Sequence, residues 1–183
     1  MTENADLEVR RTNALAYWRY AHDYLRAVRT LSTHHRLDCD EAQANYHLAA
    51  QALEFALKAF LRARGVPADT LCNDYRHSLP RALHEAMTRG LPTPPREVTD
   101  ALDAIAPHHQ DTQFTYVGIG EAAVPDLAPL FAAANWLLQA IAPAVAADYT
   151  AHYSAAASPS TEAFIVRLRA DLSATMSDSS PLQ

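Results

Sequence analysis

The chain has 183 residues, 49% of them hydrophobic and 20% charged, which is enough apolar material for one buried core. Glycine is scarce, at 4, while Ala and Leu abound, so the composition favours an all-α fold over a sheet. A net charge of −6 and a pI near 5.8 argue against strong non-specific capture of nucleic acid by the whole surface.

In chain order, a first helix is expected over residues 6–35, with Leu15, Trp18, Ala21 or His22, Leu25, Val28 and Leu31 or Ser32 facing inward. Arg10, Arg11, Arg19, Arg26, Arg29 and Arg36 give this region a local positive charge against the global trend. Residues 37–40 form a short connector in which Asp40 is placed as an N-cap, with Gln43 at the capping-box position. Two long helices with a short link imply an antiparallel hairpin.

The second helix, residues 46–65, reads YHLAAQALEFALKAFLRARG and is the one around which the rest is organised. Tyr46, Ala49, Leu53, Leu57 and Phe60 form an apolar stripe that Leu48, Ala52, Phe55 and Ala59 widen. Gln43, His47, Gln51, Glu54, Lys58 and Arg62 share a polar strip. Gly65 is placed to cap the end, and Pro67 discourages continuation. Residues 66–75 are expected as a loop with one helical turn at 69–72.

Ser78 is expected to cap a third helix, 79–88, with Pro80 in its tolerated first turn and Gly90 ending it. Thr93 is expected to cap a fourth helix over 94–106 that buries Val98, Leu102 and Ile105, and Pro107 is expected to stop it. Residues 108–124 lack a helical period, and the alternation at 113–117 fits an extended stretch packing Phe114 and Tyr116. Pro125 and Asp126 begin a fifth helix reaching about residue 153. A small-residue linker at 154–160, an exposed sixth helix at 161–174 and a frayed tail complete the chain. The expected organisation is therefore a five-helix up-and-down bundle over 1–153 and a C-terminal helical extension over 154–183.

The stretch 127–147 carries no charged side chain and is long enough to span a bilayer. Its alanine content, Asn135, Gln139, Pro129 and Pro143, acidic flanks and helical stripe favour a buried bundle helix, so no membrane association is expected. Cys39 and Cys72 have no C-x-x-C spacing and point to a reducing cytosol. MTENADLEVRR has no apolar run of the signal-peptide kind, and a cytoplasmic location is the expectation.

The run AAQALEFALKAFLRARG followed by YRHSLPRALHEA resembles the HEPN family (higher eukaryotes and prokaryotes nucleotide-binding domains). The matching residues are Gln51, Ala52, Glu54, Leu57 and Lys58, then His77 and Leu79. The resemblance implies a helical bundle that homodimerises and associates with nucleotides or RNA. A nucleotidyltransferase-type partner and a bacterial toxin–antitoxin or defence setting are implied too. Many members are metal-independent ribonucleases with an Arg-x4-6-His motif near the start of the last bundle helix. Residues 108–127 here contain no arginine, and Thr115 stands where relatives carry the arginine of an Arg-Tyr pair. The chain is therefore expected to be a non-catalytic accessory protein. The alternatives are a ribonuclease using a displaced pair, such as Arg29 with His34, or His108 with a distant arginine, and a protein-binding adaptor.

The expected ligand-binding residues are Gln51, Glu54, Lys58, Arg76 and His77. Glu54 and Lys58 form either a solvated i,i+4 pair or, with Gln51 and His47, the wall of an open charged cleft. Arg76 and His77 stand where a phosphate would meet a helix N-terminus, and Arg81 and His84 read as solvated. Neither His34, His35, Asp38, Cys39 and Asp40 nor His108, His109 and Asp111 has a defined ligand spacing, so no metal or other cofactor is expected. The paired histidines 108 and 109 read as a helix end complementing its dipole.

Overall fold

The structure is a computed structural model that describes residues 13–34, 39–110 and 126–153. Helix α1 spans Ala14–His34 and α2 spans Cys39–Ala63. A short turn, α3 (Ala68–Thr70), runs into a π-helical turn at Leu71–Tyr75. Helices α4 (Leu79–Thr88), α5 (Arg96–Gln110) and α6 (Leu127–Tyr153) follow. The architecture is the all-α up-and-down bundle that composition and periodicity predict.

Helix α2 is the hub, packed against α1, α4, α5 and α6. Its sequence explains this position. Ala49, Ala50, Ala52, Leu53, Ala56, Leu57, Ala59, Phe60 and Leu61 are all buried, so apolar surface wraps most of its circumference. The alanines let neighbouring helices approach closely, and the leucines and Phe60 fill the gaps between them. On α1 the buried stripe is Leu15, Trp18, Ala21, Leu25 and Val28. Leu31, beyond it, is exposed.

Tyr17 near the start of α1 stacks on Phe55 in the second half of α2, at 5.9 Å between ring centroids, as an antiparallel hairpin requires. Tyr24 and Tyr20 crowd the same ring at 5.6 and 5.8 Å. Helix α1 is tied to α6 by the Trp18 indole N–H donating to the Leu138 carbonyl (3.3 Å) and by Arg29 donating to Asn135 Oδ1 (2.8 Å).

Helix α6 is long and apolar enough to cross a membrane by length and composition, and 44% of that stretch is buried in the bundle. Its inward face is Leu130, Ala133, Ala134, Leu137, Leu138, Ile141 and Val145, against α1, α2 and α5. Asp126 caps it, with Oδ1 accepting the Ala128 N–H at 3.3 Å.

Helices α2 and α4 end in the same way. Gly65 (φ 82°) follows α2; its N–H donates to the Arg62 carbonyl, and the Val66 N–H donates to that of Leu61. Gly90 (φ 91°) follows α4; its N–H donates to the Met87 carbonyl, and the Leu91 N–H donates to that of Ala86. Both are Schellman caps, and Val66 and Leu91 complete them by burying their side chains. A Cβ at either glycine would meet nothing within 4 Å. Gly65→Ala and Gly90→Ala are therefore expected to cost about 1–2 kcal/mol each through backbone strain alone, read from urea midpoints.

Four sequence expectations are corrected. Ser78 stands at the N-cap position of α4, but its side chain makes no capping hydrogen bond. Asp40 is already inside α2, which begins at Cys39, and so is not its N-cap. Thr93 does not cap α5: that helix starts at Arg96, and the Val98 and Thr99 N–H groups both reach the Pro95 carbonyl. Pro107 does not stop α5, which continues to Gln110. The proline removes one N–H, the partner of the Asp103 carbonyl, and both residues lie on the exposed face where water meets that carbonyl. Expectations for residues 6–12, the extended stretch at 113–117 and the C-terminal extension 154–183 fall outside the described residues.

Candidate functional site

The polar strip of α2 does not face solvent at its centre. Glu54 and Lys58 are 4% and 7% exposed, set among the leucines of the core. A buried carboxylate is tolerated only when its charge and lone pairs are met. Lys58 Nζ donates to Oε1 at 2.5 Å. His77 Nδ1 lies 2.9 Å from Oε2, and His109 Nε2 lies 2.6 Å from the same oxygen. Three segments thus converge on one carboxylate: α2 itself, the loop before α4 and the last turn of α5.

Local structure explains each arrival. The π turn brings the chain to Arg76, whose φ of 33° and ψ of −114° are unusual for a side chain with a Cβ. The Ser78 N–H closes that bend on the Tyr75 carbonyl at 2.7 Å, and His77 is turned toward α2. On α5, Leu102, Ile105 and His109 fall on one buried face. Continuation of the helix past Pro107 is what carries His109 inward. The two imidazoles meet edge-on, 5.0 Å between centroids.

Burial pushes the Glu54 carboxyl upward, but the His109 hydrogen bond, the Lys58 charge and hydrogen bond and the His77 hydrogen bond outweigh it and hold it at about 2. Glu54 is therefore ionised at neutral pH. His47, two turns earlier on the same strip, has its pKa lowered by burial, then by the charges of His109 and His77. Tyr17 borders the region from α1. Burial pushes its phenol up to about 12, with Cys72 and, more weakly, Glu54 adding to the rise against Arg62, so it stays protonated.

The expected site residues separate. Glu54, Lys58 and His77 meet in one cluster, with half-buried Gln51 one turn before Glu54. Glu54 and Lys58 are neither a solvated pair nor the wall of an open cleft; the accessible part of the cluster is His77, whose side chain is 43% exposed. Arg76 is exposed beside it. Arg29 is engaged with Asn135 on α6, and the His34 side chain falls outside the described residues. His108 is half-buried, and it is its neighbour His109 that meets Glu54. Arg81 lies over the Tyr75 ring at 5.8 Å, and His84 is exposed.

The residue that sequence reasoning missed is His109. The stripe Val98, Leu102, Ile105 extends to it at the next i+4 step, but the intervening Pro107 masks that continuation, because proline ordinarily ends a helix.

An ionised carboxylate that accepts from His77 Nδ1–H fixes that ring's tautomer and leaves the lone pair on Nε2. This is how a buried acid holds an imidazole ready to bind or to exchange a proton. Oxygen and nitrogen donors of Glu54, His77 and His109 also lie within 4.8 Å of one another, the grouping of a metal-binding set. No family model matches the chain, and no curated protein or solved structure matches it significantly.

Proposed function

We propose that the chain is a divergent HEPN-like accessory protein that binds a phosphate-bearing ligand, a nucleotide or a stretch of RNA, without cleaving it. The observation that carries this reading is His77, partly exposed yet held by the buried, ionised Glu54. The Arg76 guanidinium and the positive end of the α4 dipole bring positive charge to the same place, and the His77 Nε2 adds a hydrogen-bond donor when the ring is in its imidazolium form, the chemistry that receives a phosphate. The resemblance over residues 51–58 and 77–79 supports the same ligand class. Within this reading the protein works in the cytoplasm as a homodimer, alongside a nucleotidyltransferase-type partner in a bacterial toxin–antitoxin or defence setting.

The ribonuclease alternative gains nothing from Arg29, which bonds Asn135 on α6. Titration calorimetry and thermal shift with ATP and a short single-stranded RNA test the proposal. Saturable binding with a raised melting temperature is expected, since a ligand that prefers the folded state stabilises it. Replacing His77 by alanine should weaken binding by about tenfold, the worth of one hydrogen bond to a charged group. RNA should remain intact after incubation. Failure of every nucleotide and RNA to bind would overturn the reading.

A further inference from the structure

We propose that Glu54, His77 and His109 form a site for one divalent first-row transition cation of the zinc class. Their donor atoms are two imidazole nitrogens and one carboxylate oxygen, all within 4.8 Å. Two neutral nitrogens and a carboxylate suit zinc, and they suit the harder magnesium or calcium ions poorly. This donor set leaves one position of a four-coordinate ion open.

Placement favours capture of an ion over a chance grouping. The ligands come from α2, the loop before α4 and the end of α5, separated by 23 and 55 residues from Glu54, yet they point at one oxygen. The Glu54 and His109 side chains are 5% and 2% exposed, so two ligands are held rigidly in the interior. His77, 43% exposed and on a loop, supplies both the entry path and the movable arm. Lys58 occupies Oε1 and leaves Oε2 to the two histidines, an outer contact that orients a ligating carboxylate.

Metal bonds of about 2.0–2.1 Å in tetrahedral geometry place neighbouring donors roughly 3.3 Å apart. The present O–N separations are 2.9 and 2.6 Å, so the ligands must spread by less than about 1 Å. Each neutral ring carries its proton on the far nitrogen when the near one binds the ion. The nearby Lys58 charge opposes the cation, and the expected affinity is below that of a dedicated structural zinc site.

The test uses zinc alone on the full, untagged chain after chelation and dialysis, and does not depend on nucleotide binding. Calorimetry should give one saturable equivalent and a raised melting temperature, with no response to magnesium. His77→Ala and His109→Ala should each weaken zinc binding roughly 100-fold, while His152→Ala and the pair His34→Ala, His35→Ala leave it unchanged. Cobalt substitution of the wild-type chain, which needs no variant to fold, should produce the visible absorption of a four-coordinate nitrogen–oxygen site. Far-UV circular dichroism identifies any variant that unfolds. The proposal is overturned if no stoichiometric binding occurs, if folded His77→Ala binds like wild type, or if the His34 and His35 replacements abolish binding.

Discussion

Glu54→Ala is expected to lower the free energy of unfolding by about 3–5 kcal/mol, the usual cost of breaking a buried ion pair by removing one partner. The variant leaves the Lys58 ammonium in the core without its counter-charge and takes from His109 and His77 the oxygen they share. Against a total of about 5–15 kcal/mol for a domain, that loss is large. Removing both charges is a different matter. Glu54→Gln combined with Lys58→Met keeps an acceptor for one histidine and places an apolar chain where the ammonium was. It should recover more than half of the lost stability. Urea unfolding of the three proteins measures the difference. A single variant within about 1 kcal/mol of wild type would mean that the pair behaves like a surface ion pair, and the description of the site would be wrong.

Acid should expose the same carboxylate. In the folded protein it is held at about 2, below the ordinary carboxyl value of 4.5. A depressed carboxyl contributes stability that is complete above the unfolded value and disappears as pH falls from about 4.5 toward 2. The gap corresponds to roughly 3 kcal/mol. His47 acts in the same direction at higher pH. Its folded pKa is lowered from 6.5, so the unfolded chain takes up a proton first, and stability begins to fall as pH drops below 6.5. The wild-type urea midpoint should therefore decline in two stages between pH 7 and pH 3. In Glu54→Gln the lower stage should be missing. If both proteins gave parallel curves below pH 4.5, Glu54 would not be the group responsible.

Much of the bundle was legible because it follows local rules. The spacing of Leu15, Trp18, Leu25 and Val28 on α1, the breadth of the α2 stripe and the glycines at 65 and 90 each follow from nearest-neighbour chemistry. The cluster was legible only in part. Glu54, Lys58 and His77 stood out by residue type and by family resemblance. Their depth did not, because a polar strip on an amphipathic helix ordinarily faces water, and here α5 and the loop before α4 cover it. His109 was hidden for a different reason. Proline breaks a helix interior covered on all sides, but Pro107 lies on the exposed face, where losing one N–H costs little. Charge pairing across 55 residues leaves no periodic trace in a sequence.

Proline 107 has one more effect. The final turn of α5 lacks the backbone tie that the proline cannot make, so its own helix restrains it less than an uninterrupted one would. What pins that turn is the bond from His109 to a helix far away in the chain. Closing so long a loop comes after the hairpin of α1 and α2, whose contacts are local, has formed. The carboxylate therefore acts as a rivet across the fold: the end of α5 is held from a helix 55 residues away in the chain.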